Sequence, residues 1–355
     1  MRTSQRSVSR FAAGYWLSLA ILCATPGLAT GQEPIKIVTS LTTYASIAKE
    51  VVGDKGTVTA IAQGDEDAHF VQPKPSFVRL LRDADVFVTT GLDLELWVPA
   101  LLDRASNRQV SPGGRGYVTA SNGVDLLEIP ATVDRAAGDV HVFGNPHLHA
   151  DPLNAILISR SIRAGLERVS PENAPYFKAR AEAFQRDILV ALIGSELVEI
   201  LTPGTAVQLL EAHRLHEFLA NTDYQGEPLA RRLEGWFGRG TAFRGRKMVC
   251  YHKEWSYFSR RFGIPCVAYV ESKLGIPPTP RHVRDLIDLM RRENIPAIFA
   301  ANYYNQKQIS QVAERTDASP VIVPENTAGA PGIDTYFDLV DHWIDRLAAV
   351  YEETE

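Results

Sequence analysis

From residue 35 onward, short apolar runs alternate with longer stretches whose apolar positions recur every three or four residues. Runs at 35–41, 57–62 and 86–90 are short and bounded by polar turns, so they read as strands. Between them, 44–52 and 77–82 carry helical periodicity. A longer helix is expected over 152–169, with Asp151 as its cap and Pro152 in its first turn. Residues 171–201 continue a helical pattern, with Tyr176, Phe177, Ala181 and Phe184 on one face. The segment 202–244 is rich in helix formers and arginine, with turn signals at Asp223, Gly226 and Gly238. Alternation then returns, with strands expected at 248–251, 266–270, 297–300 and 321–323, and helices at 255–262, 280–293, 307–316 and 336–351.

Strand–helix alternation on this scale implies parallel sheets covered by helices. The expected fold is α/β, with two Rossmann-like lobes over 32–170 and 202–355. A single long linking helix over 171–201 would join them, and 202–244 would be a helical insertion in the second lobe.

Residues 1–31 stand apart from this pattern. Arg2, Arg6 and Arg10 precede an apolar stretch over 11–22, and the small residues Gly27, Ala29 and Gly31 follow. This is the layout of a secretory signal peptide, cut between Ala29 and Gln32. Cys23 follows the bulky Leu22, which speaks against a lipid anchor, so a freely exported periplasmic protein is expected. No other apolar run approaches the ~20 residues of a membrane-spanning helix. Losing three arginines and no acid takes the net charge from −5 to −8. An acidic chain is a poor partner for nucleic acid and is compatible with cation capture. Cys250 and Cys266 sit at opposite ends of adjacent expected strands, so two unpaired buried thiols are anticipated rather than a disulfide.

Candidate chemistry lies in the loops. His69 ends the acidic turn 64–69, His147 lies in Gly144-Asn145-Pro146-His147, and His252 follows the apolar run 247–251. Asp334 lies in the late loop 331–336. In α/β sheets the loops at the carboxyl ends of strands carry function. Three imidazoles and a carboxylate could saturate a tetrahedral zinc ion. Taken singly, each of these histidines is more often a packing or loop residue than a ligand.

The text around all four changes that balance. Asp67-Ala68-His69 is followed by Pro75-Ser76, Ala84-Asp85-Val86 and Gly91-Leu92-Asp93-Leu94-Glu95-Leu96-Trp97. Asn145-Pro146-His147 runs on to Asp151-Pro152. Tyr251-His252 precedes Trp255, Tyr257 and Phe258, and Asp334-Thr335-Tyr336 comes last. In this order the chain resembles the metal-binding solute-binding proteins of ABC importers for zinc and manganese.

That resemblance implies His69, His147, His252 and Asp334 as metal ligands, with the ion in a cleft between two lobes. It implies Zn2+ as the transported cargo, with Mn2+ or iron as the alternative, and an ABC membrane permease as partner. A loading metallochaperone is a further candidate partner, and a monomer without catalytic activity is expected. The rival reading, a three-histidine metallohydrolase, needs an open coordination position. Asp334 would fill that position, and HExxH, P-loop, GxSxG and CxxC motifs are absent from the mature sequence.

Some residues depart from the resemblance. His149 stands where the family usually has an aromatic residue, and the loop 130–144 offers only His141. His213 and His216 are three apart, which on a helix would place them on one face, as a second metal site or simply a solvated one. Arg231, Arg232, Arg239, Arg244 and Arg246 could face the permease or be ordinary surface charge.

Overall fold

The computed structural model describes Met1 and residues 33–131, 141–273 and 275–353. The signal-peptide reading, Cys23 included, falls on residues outside this set. Residues 34–355 form one compact unit. No described helix is long and apolar enough to cross a membrane.

The first half is built on β1 (Ile35–Thr39), β2 (Gly56–Ala60), β3 (Val86–Thr89) and β4 (Tyr117–Thr119). They lie in the order β2-β1-β3-β4, and every pairing is parallel. Every residue of β3 is buried, as expected of a central parallel strand covered on both faces. The covering helices are α1 (Thr42–Val52), α2 (Pro75–Arg82), α3 (Val98–Ala105) and α4 (Pro152–Val169). Asp151 caps α4 by accepting from the Leu153 N–H at 2.9 Å, as anticipated.

The expected linking helix is shorter than its sequence pattern. A 3-10 turn at Pro171–Asn173 leads into α5 (Ala174–Ile193), which ends at Gly194 with φ +88°. A Cβ at Gly194 would press on Glu234, so the backbone there requires glycine both for φ and for space. A separate helix, α6 (Ser195–Leu201), follows. At 20 residues α5 is about 30 Å long. It buries Phe177, Ala181, Phe184, Ile188 and Leu192, and packs on α1 and α4.

The region read as an insertion contains α7 (Pro203–Glu211), α8 (Leu215–Asn221), a short hairpin of β5 (Asp223–Tyr224) and β6 (Glu227–Pro228), and α9 (Gly235–Arg239). α5 also packs on α9, so it touches elements of both halves.

The second half has β7 (Met248–Cys250), β8 (Cys266–Tyr269), β9 (Ala297–Ala301) and β10 (Ser319–Val323). Their order is β10-β9-β7-β8, again all parallel. Relabelled from its own first strand, this sheet repeats the order of the first. Each therefore has a switch point where successive connections leave in opposite directions, beside β1/β3 and beside β7/β9. The helices α10 (Ser256–Phe262), α11 (Pro280–Glu293), α12 (Gln306–Ala313) and α13 (Tyr336–Glu352) complete this half. One continuous apolar cluster runs from β1 through α5 to α13, so the two sheets share a core. A second cluster lies under α11 and α12.

The expectation of unpaired cysteines is corrected. Cys250 and Cys266 form a disulfide with their Cα atoms 5.5 Å apart. β7 has only three residues, and its register against β8 slips between Met248 and Val249. With β7 this short, its carboxyl end stays within bonding range of Cys266, which pairs with Met248.

Candidate metal centre

Three imidazoles meet in the described structure. One ring nitrogen from each of His69, His141 and His147 lies within 4.8 Å of the others. The loop after β2 carries His69 in a 3-10 turn, Ala68–Phe70, capped by Asp67. The Trp97 indole N–H donates to the Ala68 carbonyl at 2.8 Å and fixes that turn. Gly64 lets this loop approach the loop after β10, since a Cβ there would lie 2.1 Å from the Thr327 carbonyl.

His147 depends on Asn145. The Asn145 side chain accepts from the His147 N–H at 3.0 Å and donates to the Lys253 carbonyl at 2.9 Å. The Asn-Pro-His string thus ties the His147 loop to the turn that follows His252. Tyr257 adds a second tie by donating its hydroxyl to the Asn145 carbonyl at 2.8 Å.

Each imidazole has its Nδ1 engaged. His69 Nδ1 lies 2.7 Å from Asp67 Oδ1, and His141 Nδ1 lies 2.9 Å from Asp93 Oδ1. His147 Nδ1 lies 2.7 Å from Glu325 Oε1, whose other oxygen accepts from the Tyr303 hydroxyl at 2.5 Å. His252 Nδ1 lies 2.9 Å from the Glu271 carbonyl. Partners of this kind orient metal-binding histidines and leave Nε2 for the ion. The Nε2 atoms of His69 and His141 are 3.3 Å apart. Two nitrogens bound to one tetrahedral zinc, each at about 2.0–2.1 Å, are separated by about 3.4 Å.

The electrostatics suit capture of a cation. Burial pushes the His147 imidazole well below its ordinary range, and His69, His141 and His252 add to the effect. His147 is therefore neutral and ready to donate at physiological pH. For Asp67 and Asp93 burial acts upward, but the bonds and charge of His69 and His141 outweigh it and hold both carboxyls low. Two ionised carboxylates thus stand behind two imidazoles. Burial raises Glu325 and, more strongly, Glu254, whose two oxygens are buried without a hydrogen-bond partner.

Of the four ligands expected from sequence, His69 and His147 stand in this cluster. His252 is buried, 3% exposed, and close enough to influence the charge of His147. Asp334 does not join them. It is exposed, and its N–H donates to Asp338 in the turn that opens α13, where Thr335 and Asp338 form a capping box. Thr335 thus caps α13, and the Asp334 carboxylate takes no part in that box. The carboxylate that meets His147 is Glu325, at the carboxyl end of β10, and the rule that singled out His69 applies to it equally. His141, noted in the sequence only as a loop histidine, is the other residue missed.

A family described as zinc-uptake complex component A, periplasmic, matches residues 37–193 and 227–350. The chain belongs to this family. It is the extracytoplasmic metal-binding component of an ABC metal importer, and it is not an enzyme. The manganese-binding lipoprotein MntA of Halalkalibacterium halodurans is 24% identical over 91% of this chain and 90% of that protein. The iron-binding protein YfeA of Yersinia pestis is 24% identical over 89% and 86%. Among solved structures, a crystal structure of ZnuA superposes with a TM-score of 0.63 at 19% identity, covering 90% of this chain and all of that one. The family match passes over 194–226, so the unmatched stretch begins and ends earlier than the insertion read at 202–244.

His149 is fully buried, 3.5 Å from Glu325, and burial lowers its pKa to about 4. Its folded value is below its unfolded one, so its contribution to stability is complete above pH ~6.5 and is lost as pH falls toward 4. Between pH 8 and pH 5 the loss is about 2 kcal/mol at 1.36 kcal/mol per pKa unit. The variant His149→Phe lacks that loss. In urea denaturation of metal-free protein, its stability relative to the parent should rise by this amount on going from pH 8 to pH 5. An unchanged difference would refute the assignment of a buried neutral imidazole.

Proposed function

We propose that this protein captures Zn2+ in the periplasm and delivers it to its importer. The ligands in this reading are Nε2 of His69, His141, His147 and His252. The observation that carries it is the 3.3 Å separation of the His69 and His141 Nε2 atoms, with every Nδ1 engaged elsewhere. An all-nitrogen set favours zinc, whereas manganese takes oxygen more readily. Glu325 serves as the carboxylate that orients His147 rather than as a ligand. Proton competition should weaken binding as pH falls through the histidine range.

A manganese or iron cargo is the second reading. It is favoured by the names of the relatives and by Glu325, which could exchange its bond to His147 for one to the ion. Elemental analysis of protein purified from its own periplasm separates the two, because affinity order alone favours zinc over manganese at any such site. Calorimetric titration with Zn2+ and Mn2+ tests the ligand set. Zinc should bind more tightly at one site per chain, Asp334→Ala should leave that affinity unchanged, and His141→Ala should lower it at least tenfold. Loss of binding in Asp334→Ala with none in His141→Ala would overturn the ligand set. A soluble periplasmic form, rather than a lipid-anchored one, is part of this proposal.

A further inference from the structure

The stretch that the family match passes over forms one wall of a small cavity lined by none of the candidate metal ligands. Leu210, His213, Leu215 and His216 come from α7, α8 and the turn between them. Arg244, Arg260 and Arg261 face them across about 110 Å³. At ~30 Å³ per water in the liquid, this is a few waters' worth of space. Among the described residues, three arginines and two histidines line the cavity, and no carboxylate does.

The charges are unevenly compensated. Arg261 is buried and paired, donating to Asp151 at 2.8 Å and to the Leu210 carbonyl at 2.6 Å. Arg260 reaches only the exposed Asp125 with Nη1, and its Nε is buried without a partner. Arg244 has no carboxylate partner among the described residues. His216 Nε2 is also buried and unpartnered, with its ring edge-on to Phe237 at 5.0 Å. Arg244 is exposed, so the two buried nitrogens Arg260 Nε and His216 Nε2 are the groups that call for a missing partner.

That partner is not a second metal ion. His213 and His216 do not share a helix face, because His213 sits in the turn before α8 with φ +53°. Burial lowers both imidazoles, and the neighbouring arginines lower them further, so the cavity repels a cation. We infer that this cavity binds a small oxyanion of the phosphate type, held by Arg244, Arg260 and His216. Its tetrahedral oxygens can accept from several donors at once, and a guanidinium offers a fork that matches two of them.

The same phosphate chemistry is offered by a free ion and by an anionic lipid headgroup, and two arms of one experiment separate these sources. The whole protein, loaded with zinc, is titrated calorimetrically with inorganic phosphate at fixed ionic strength. It is also sedimented with phosphatidylglycerol vesicles. Saturable phosphate binding assigns a free ion; saturable binding to vesicles alone assigns a headgroup. In either case Arg244→Gln and His216→Ala should each weaken binding about tenfold or more, the cost of a charge-assisted hydrogen bond. Zinc titration of both variants should match the parent, since neither residue belongs to the metal centre. Absence of saturable binding in both arms, or variants that bind as the parent does, overturns the inference.

Discussion

Replacing His147 by alanine is expected to lower zinc affinity by more than a hundredfold, while far-UV circular dichroism stays that of the parent. Removing a group that only orients a ligand typically costs 10–100-fold, and losing a ligand costs more. His147 does more than donate one nitrogen. Its ring contacts those of both His69 and His141, with centroids 5.3 and 6.1 Å away, and it anchors Glu325 from the second half. Truncation leaves the buried Glu325 carboxyl without the imidazole and weakens the tie between the halves. Glu325→Gln should show the smaller, orienting effect of roughly 10–100-fold. Equal losses in the two variants would mean that Glu325 is itself bound to the ion.

The second large effect concerns stability. The Cys250–Cys266 disulfide closes a loop with a sequence separation of 16. A loop of that size restricts the unfolded chain enough to contribute roughly 3 kcal/mol. Cys266→Ser, or reduction of the parent, should lower unfolding free energy in urea by this amount. The disulfide also pins β7 to β8 immediately before His252. Metal binding under reducing conditions should therefore weaken modestly, by less than in His147→Ala. A reduced protein as stable as the oxidised one would show that the pairing adds nothing.

The fold was legible because its parallel strands are short apolar runs and its helices have clear periodicity. The two expected halves, the capped start of α4 at Asp151 and the loops bearing His69 and His252 all follow from such local signals. Other features depend on contacts distant in sequence. β4 has only three residues and leaves no run to read. α3 begins Val98-Pro99, and its proline reads as a break although the first turn tolerates it. β10 includes Pro320, which reads as a stop yet fits an edge strand. Gly194 passed as an ordinary residue in a helical stretch because only the approach of Glu234 demands it.

The site was read in part for the same reason. His69 and His147 lie in distinctive strings, and the strings reflect real local devices, the Asp67 cap and the Asn145 bridge. Asp334-Thr335-Tyr336 is an equally distinctive string, of which Thr335 caps α13 while Asp334 stands exposed, outside the imidazole cluster. Glu325 and His141 carry no such signature. Their part emerges only when β10 and the loop after β4 are brought to His147, which is a matter of tertiary structure.

The most direct test is a crystal structure of the zinc-loaded protein with anomalous scattering recorded at the zinc edge. The account predicts one ion per chain, about 2.0–2.1 Å from Nε2 of His69, His141, His147 and His252. An ion held by Asp334, or one that leaves the His69 and His147 imidazoles uncoordinated, would contradict it.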